Sequence, residues 1–117
     1  MTLDKTILII GSGPSGLALA LHTAQQGLSV TVVSVSPFEP WLANYCFWLD
    51  ELSDKDLYNQ IANTWDQVVI KTGQGKQKTI DRTYAQFDTK RLQNFLLQRC
   101  KASGVTIIDD RIKANND

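Results

Sequence analysis

The apolar pattern of this chain begins with residues 6–10, four aliphatic residues in a row with no polar alternation. A run of that kind predicts a parallel strand buried on both faces. Leu17, Leu21 and Ala24 then recur at near-helical spacing, and Ala18 and Ala20 raise the helix propensity. Pro14 falls near the start of that helix, where its missing N–H costs nothing, and Gly27 falls where a C-terminal cap belongs. Residues 29–33 are rich in β-branched side chains and predict a second strand. Pro37 and Pro40 bracket a loop. Ser53 opens a short helix running to about residue 61, with Asp54 and Asp56 in its first turn. Residues 65–71 and 77–82 read as two strands joined by the glycine-containing turn 72–76. Asp88 caps a last helix with Leu92, Phe95, Leu96 and Cys100 on one face and Lys90, Arg91, Gln93 and Gln98 mostly opposite. Gly104 closes that helix, and residues 105–108 form a final apolar strand.

The order is strand, helix, strand, an excursion with a hairpin, helix, strand. Right-handed crossovers place the first, second and last strands parallel in one sheet. The fold class is therefore α/β, a Rossmann-like three-layer unit with a parallel sheet and an inserted β-hairpin. Its few strands read as the first, incomplete part of a larger α/β protein. The polar tail from Arg111 to Asp117 suits a terminus just after a strand or a shifted reading frame equally.

Composition narrows the classes without naming one. With 43% hydrophobic and 21% charged residues over 117 positions, the chain is an ordinary globular segment of one domain. Lys plus Arg and Asp plus Glu both number 12, so net charge is zero and nothing favours a nucleic-acid partner. The mixed stretch from Lys71 to Lys78 reads as a solvated hairpin tip. Cys46 and Cys100 match no zinc or redox spacing and read as free thiols in a reducing compartment. The single histidine, His22, lies in the first helix without ligand neighbours, as a surface or packing residue. At the N-terminus, Lys5 precedes apolar residues as in a signal peptide. Asp4 spoils the basic region, however, and Gly11, Gly13, Pro14 and Gly16 break the apolar run. No apolar segment approaches membrane-spanning length, so the expected location is the cytosolic side.

The chemistry concentrates at Gly11-Ser12-Gly13-Pro14-Ser15-Gly16, directly after the first strand and opening the first helix. This is the glycine turn of a dinucleotide-binding unit, and each glycine has a mechanical task. Gly11 turns the chain off the strand, Gly13 lets backbone approach a pyrophosphate, and Gly16 lets the helix pack closely on the sheet. The helix N-terminus offers unpaired N–H groups and the positive end of its dipole to the phosphates. An NAD-type unit usually adds an Asp or Glu at the end of the second strand for the ribose hydroxyls. Here that place holds Ser34, a weaker partner, with Ser36 and Glu39 as substitutes. This departure argues against an ordinary NAD-dependent dehydrogenase.

The segment from Trp41 to Trp48 puts four aromatics into eight residues. It can be a cover packed on the sheet or the wall of a ligand site, and composition favours the cover. Taken with the glycine turn and Gly27-Leu28-Ser29-Val30, Pro40-Trp41-Leu42-Ala43-Asn44-Tyr45-Cys46-Phe47-Trp48 resembles a motif of the lycopene cyclases, flavoprotein carotenoid cyclases of plants and cyanobacteria. Acidic Asp50-Glu51-Leu52, then Asp81-Arg82-Thr83-Tyr84 and Phe87-Asp88-Thr89-Lys90-Arg91-Leu92, extend the resemblance over nearly the whole chain. Leu42, Ala43 and Cys46 stand where that family has Pro, Asn and Gly. Ser34 is similar to the cyanobacterial members.

The resemblance implies FAD as cofactor, kept reduced by NADPH, and a non-redox closure of linear carotenoid ends into β-rings. It implies a cofactor-binding set of Gly11, Ser12, Gly13, Pro14, Ser15, Gly16, Ser34 and Lys90. It also implies a carotenoid substrate for a full-length protein, with peripheral contact to a thylakoid-type membrane. Tyr45, Phe47 and Trp48 then stand equally well as walls of an apolar pocket. The family's catalytic acid lies beyond residue 117, so no catalytic residue and no metal ligand is assigned here, and the chain is expected to be inactive alone. Two other functions fit the residues. One is a fragment of a flavin-dependent oxidoreductase or monooxygenase, sharing the glycine turn but not the aromatic segment. The other is a small non-catalytic nucleotide-binding module.

Overall fold

The computed structural model describes residues 6–113. Asp4, Lys5 and the tail beyond residue 113 lie outside the described residues. The chain divides into two compact units, one built from its residues up to Trp41 together with those from Gln93 onward, the other from Leu42 to Leu92.

In the first unit, β1 (Thr6–Ile10), α1 (Pro14–Gln25) and β2 (Ser29–Ser34) follow one another as the apolar pattern requires. Gly27 takes a positive φ of 87° past the end of α1 and its N–H bonds to the Ala24 carbonyl, the expected glycine cap. β8 (Thr106–Asp109) completes a three-stranded parallel sheet in the order β1-β2-β8, with Ile9 paired to Val32 and Ser34 to Asp109. Both crossovers run the same way along the sheet, so right-handedness puts both helices on one face. The Cys100 thiol, on α3 (Thr89–Ala102), donates to the Leu17 carbonyl of α1 at 3.4 Å, consistent with that placement. Ile9, Leu17, Ala20, Val30, Val32, Leu96, Cys100 and Val105 form the buried core of this unit.

The apolar run of β1 predicts burial on both faces, and the structure corrects this. Ile9 is 8% exposed, but Leu8 is 53% and Ile10 66% exposed. The reason is the layering: among the described residues the Leu8 and Ile10 face of β1 is left largely uncovered, although Val33 beside Ile10 is buried.

The second unit departs most from expectation. Its sheet is antiparallel, β3 (Cys46–Trp48), β7 (Tyr84–Phe87) and β4 (Ile61–Trp65), with β7 in the middle. The helix expected from Ser53 to about residue 61 shrinks to α2 (Lys55–Tyr58) after a 3-10 turn at Leu49–Glu51. Its cap is Asp54, whose side chain accepts the Asp56 N–H at 2.9 Å, and Ile61 already belongs to β4. The strand expected over 65–71 divides between the end of β4 and β5 (Val68–Lys71), because Asp66 and Gln67 form the corner. β5 and β6 (Gln77–Ile80) make the expected antiparallel hairpin. Asp88 caps α3 as expected, its Oδ1 accepting the Arg91 N–H at 3.0 Å.

Candidate functional site

The glycine turn is built as its spacing requires. Gly11 has a φ of 112°, a conformation that side chains avoid, and its N–H bonds to the Val33 carbonyl at 2.9 Å. A Cβ on Gly16 would lie 2.3 Å from the Gly11 carbonyl oxygen, so only glycine lets α1 pack this closely under the turn. Gly13 is the opposite case. It has ordinary extended backbone (φ −73°, ψ −177°), and a Cβ there would meet nothing within 4 Å. Gly13 is the N-cap of α1, Pro14 follows in the first turn, no side chain caps the helix and no acidic residue stands in its first turn. A twelve-residue helix thus presents its N-terminal amides beside open space at Gly13. The chain's own atoms fit the diphosphate of a dinucleotide, because its charge would meet that N-terminus and its bulk would take the room that a side chain would fill.

Ser12 and Ser34 come together as well. The Ser12 hydroxyl donates to the Ser34 hydroxyl at 2.9 Å, which ties the turn to the tip of β2. A cleft of about 330 Å³ opens at the C-terminal ends of the strands, lined by Ile10, Gly11, Val33, Ser34, Val35, Asp110, Arg111 and Ile112. Open α/β sheets bind ligands at this end of their strands. Of the residues singled out by sequence, Gly11, Ser12, Gly13, Pro14, Ser15, Gly16 and Ser34 all gather in the first unit. Lys90 does not: it is exposed, in the first turn of α3, and belongs to the second unit. Ser36 uses its backbone N–H on the Asp109 carboxylate at 2.9 Å, and Glu39 its carbonyl on Gln93 at 2.8 Å.

Trp41, read from sequence only within an aromatic cover or wall, and Gln93, read as a polar-face residue, both support this site. Trp41 donates its indole N–H to the Ser12 carbonyl at 3.1 Å, holding the turn from the loop that follows β2. Gln93, expected on the polar face of α3, is only 4% exposed. Its side-chain oxygen accepts the Trp41 amide at 2.9 Å and its nitrogen donates to the Glu39 carbonyl at 2.8 Å. A buried amide with both ends hydrogen-bonded ties the loop at Glu39 and Trp41 to α3 and leaves no buried polar atom of its own unpaired. No periodicity argument reveals it, since glutamine usually marks a solvated helix face.

The rest of the aromatic segment belongs to the second unit. Phe47 stacks on Phe87 with ring centres 4.3 Å apart, and Trp48 meets Tyr84 edge-on at 5.0 Å. The Arg82 guanidinium lies 4.5 Å over the Trp48 ring. Its Nε donates to Asp50 Oδ2 at 3.0 Å, and its Nη2 reaches Asp50 Oδ1 and Glu51. The Arg82 hydrogen bond holds the Asp50 carboxyl below its ordinary value, and the same bond raises Arg82. The acidic pair after Trp48 is therefore a structural partner of the Arg82 corner.

Cys46 and Cys100 are free thiols, as expected, and burial pushes the Cys100 thiol up. Among the described residues no cluster of His, Cys, Asp or Glu could hold a metal ion, and no helix is long and apolar enough to cross a membrane.

Comparison with known proteins agrees with this geometry. The family model described as lycopene cyclase protein matches residues 6–116. The chain is 34% identical over 106 residues to a chloroplast lycopene beta cyclase of Arabidopsis thaliana, covering 91% of this chain and 21% of that protein. It is 32% identical over 107 residues to a chloroplast neoxanthin synthase of Solanum tuberosum, covering 92% of this chain and 20% of that protein. The chain thus spans about a fifth of the length of the curated relatives it matches. Among solved structures, pqsL of Pseudomonas aeruginosa, described as a probable FAD-dependent monooxygenase, superposes with a TM-score of 0.69 at 16% identity. That superposition covers 95% of this chain and 34% of the other, and supports the Rossmann-like fold. By the span of the family match and the level of identity, the chain belongs to the lycopene cyclase family.

Proposed function

We propose that this chain is the N-terminal, FAD-binding part of a carotenoid cyclase that closes the linear ends of lycopene into β-rings. The observation that carries the proposal is the open space at Gly13 beside the uncapped N-terminus of α1, in a family member whose turn is otherwise held rigid. On this reading the first-turn amides of α1 bind the diphosphate, Pro14 presets the first turn, and Ser15 and Ser12 add hydroxyls at the same end. Ser34 contributes toward the ribose. Lys90 is a further cofactor contact in the same reading, carried by family resemblance. Reduced FAD, with NADPH as electron donor, would supply electron density that favours a cationic ring closure. The reaction is an isomerisation: a proton added at one polyene carbon is matched by one lost from the ring, with no net change in oxidation state. Tyr45, Phe47 and Trp48 serve as apolar cover against water. The substrate is a long hydrocarbon, so the complete protein works in peripheral contact with a membrane, thylakoid-type in a plastid or cyanobacterial setting. The isolated chain has no assigned acid and is inactive.

A domain graft tests this. Residues 6–113 replace the matching segment of the Arabidopsis cyclase, and flavin content and ring formation from lycopene are measured with NADPH present. Expected are bound flavin and cyclised product, both lost on Gly13→Val. A folded graft that carries no flavin would refute the proposal. The isolated chain is expected to bind FAD only weakly.

A further inference from the structure

A dinucleotide unit normally holds its ribose hydroxyls with a carboxylate at the tip of the second strand, and this chain has Ser34 there. The strand alongside offers what β2 lacks. β8 runs parallel to β2 with Asp109 in register with Ser34, and the Asp110 amide donates to the Ser34 carbonyl at 3.1 Å. Asp110 therefore stands immediately past the tip of β2, and it lines the same cleft as Gly11 and Ser34. The two acids have different tasks. Asp109 Oδ1 accepts the Ser36 N–H at 2.9 Å, an anchor for the loop after β2, where Ser36 itself has a φ of 51°. Among the described residues the Asp110 carboxylate accepts only the adjacent Arg111 N–H, at 2.7 Å. A carboxylate has about four acceptor sites, so one local amide leaves it able to take a pair of hydroxyls.

We infer that Asp110 is the ribose-binding carboxylate of this site, moved from the second strand to the end of β8, with Ser34 as its neutral neighbour. This rests on the adenine-nucleotide reading above and adds the residue that selects a free ribose hydroxyl. Arg111 lines the cleft too. A lone arginine there would favour a 2′-phosphate, whereas Asp110 beside it opposes one by charge repulsion.

The test titrates the 117-residue chain with ADP, 2′-deoxy-ADP and 2′,5′-ADP by amide NMR, which reads weak binding. The variants are Asp110→Ala and the double Ser34→Asp/Asp110→Ala. Wild type is expected to prefer ADP over 2′-deoxy-ADP by about tenfold, the effect of one charge-assisted hydrogen bond at an open site. Asp110→Ala is expected to bring that ratio near one, and returning a carboxylate to the tip of β2 to restore it. Asp110 is exposed, so the variant's amide spectrum serves as the folding control. An unchanged ratio in Asp110→Ala would overturn this inference while leaving the flavin reading standing, and so would tighter binding of 2′,5′-ADP than of ADP. No shifts with any adenine nucleotide would remove both.

Discussion

Gly16 and Gly13 lie three residues apart in one motif, yet the structure gives them opposite tasks, and substitution by alanine separates them. A methyl group at Gly16 would sit 2.3 Å from the Gly11 carbonyl oxygen and 3.2 Å from its carbon, both backbone atoms of the turn. Neither can rotate away, so α1 must lift from the sheet or Gly11 must leave its φ of 112°. Overpacking of this kind costs about 1–3 kcal/mol, sometimes more, against a gain of about 1 kcal/mol from the better helix propensity of alanine. Because both contacts are with backbone, the cost belongs at the upper end of that range, so the net expectation is a loss of about 2 kcal/mol, read as a fall of about 6–12 °C in melting temperature. Gly13→Ala meets no atom within 4 Å and needs no unusual φ. Its poorer capping, about 0.5 kcal/mol, is offset by the reduced freedom of the unfolded chain. Its melting temperature should stay within about 2 °C of wild type, while nucleotide binding weakens because the methyl group occupies the diphosphate's place. The assay is thermal unfolding by circular dichroism, paired with FAD titration of the grafted protein. If Gly16→Ala melts with wild type, the close-packing account of this turn is wrong.

Three further outcomes follow from the geometry. Arg82→Leu frees the Asp50 carboxyl to return toward its ordinary value of 3.8. Because the paired carboxyl is lowered, its stabilising effect is present above that value and is lost as pH falls through the lower folded one. The melting difference between variant and wild type should therefore be small at neutral pH, weaken with salt, and vanish in strong acid; a difference that grows on acidification would contradict the pairing. In a native thiol assay Cys46, which is exposed, should react at once, and Cys100, at 0% exposure with its thiol pushed up by burial, only after denaturant is added. Gln93→Leu removes the acceptor of the Trp41 amide and the donor to Glu39, and should cost about 1–3 kcal/mol in a urea titration with a shifted tryptophan emission.

The first unit was largely legible because its signals are local. An unbroken aliphatic run, a glycine turn of fixed spacing and β-branched residues at 29–33 each act within a few positions, and the boundaries of β1 and α1 fall where those residues put them. The second unit was not, because its sheet is assembled from distant short pieces. Cys46–Trp48, Ile61–Trp65 and Tyr84–Phe87 are three to five residues each, and their pairing rather than their composition makes them strands. Ile61 could end a helix as easily as begin β4 until Phe87 is seen opposite it. Of the site, the turn and Ser34 were readable. The register that sets Asp109 beside Ser34 was not, since two adjacent acids after an aliphatic strand look like the polar end of any strand.

The supports of the turn explain why its residues should differ in what they control. The Gly11 N–H goes to Val33, the Ser12 carbonyl accepts the Trp41 indole, and the Ser12 hydroxyl meets Ser34. These bonds secure the first two residues of the motif to β2 and to the loop that Gln93 holds, and the N-cap at Gly13 is left without a side chain against it. A rigid turn with an uncapped helix start binds a diphosphate without first paying to order itself, so part of its affinity resides in residues that touch no ligand. Trp41→Phe keeps an aromatic ring but loses the pyrrole part of the indole and, with its N–H, the hydrogen bond to the Ser12 carbonyl. It should therefore weaken nucleotide binding through a looser turn, with faster amide exchange at Ser12 and Gly13, whereas Gly13→Ala weakens it with the exchange rates unchanged.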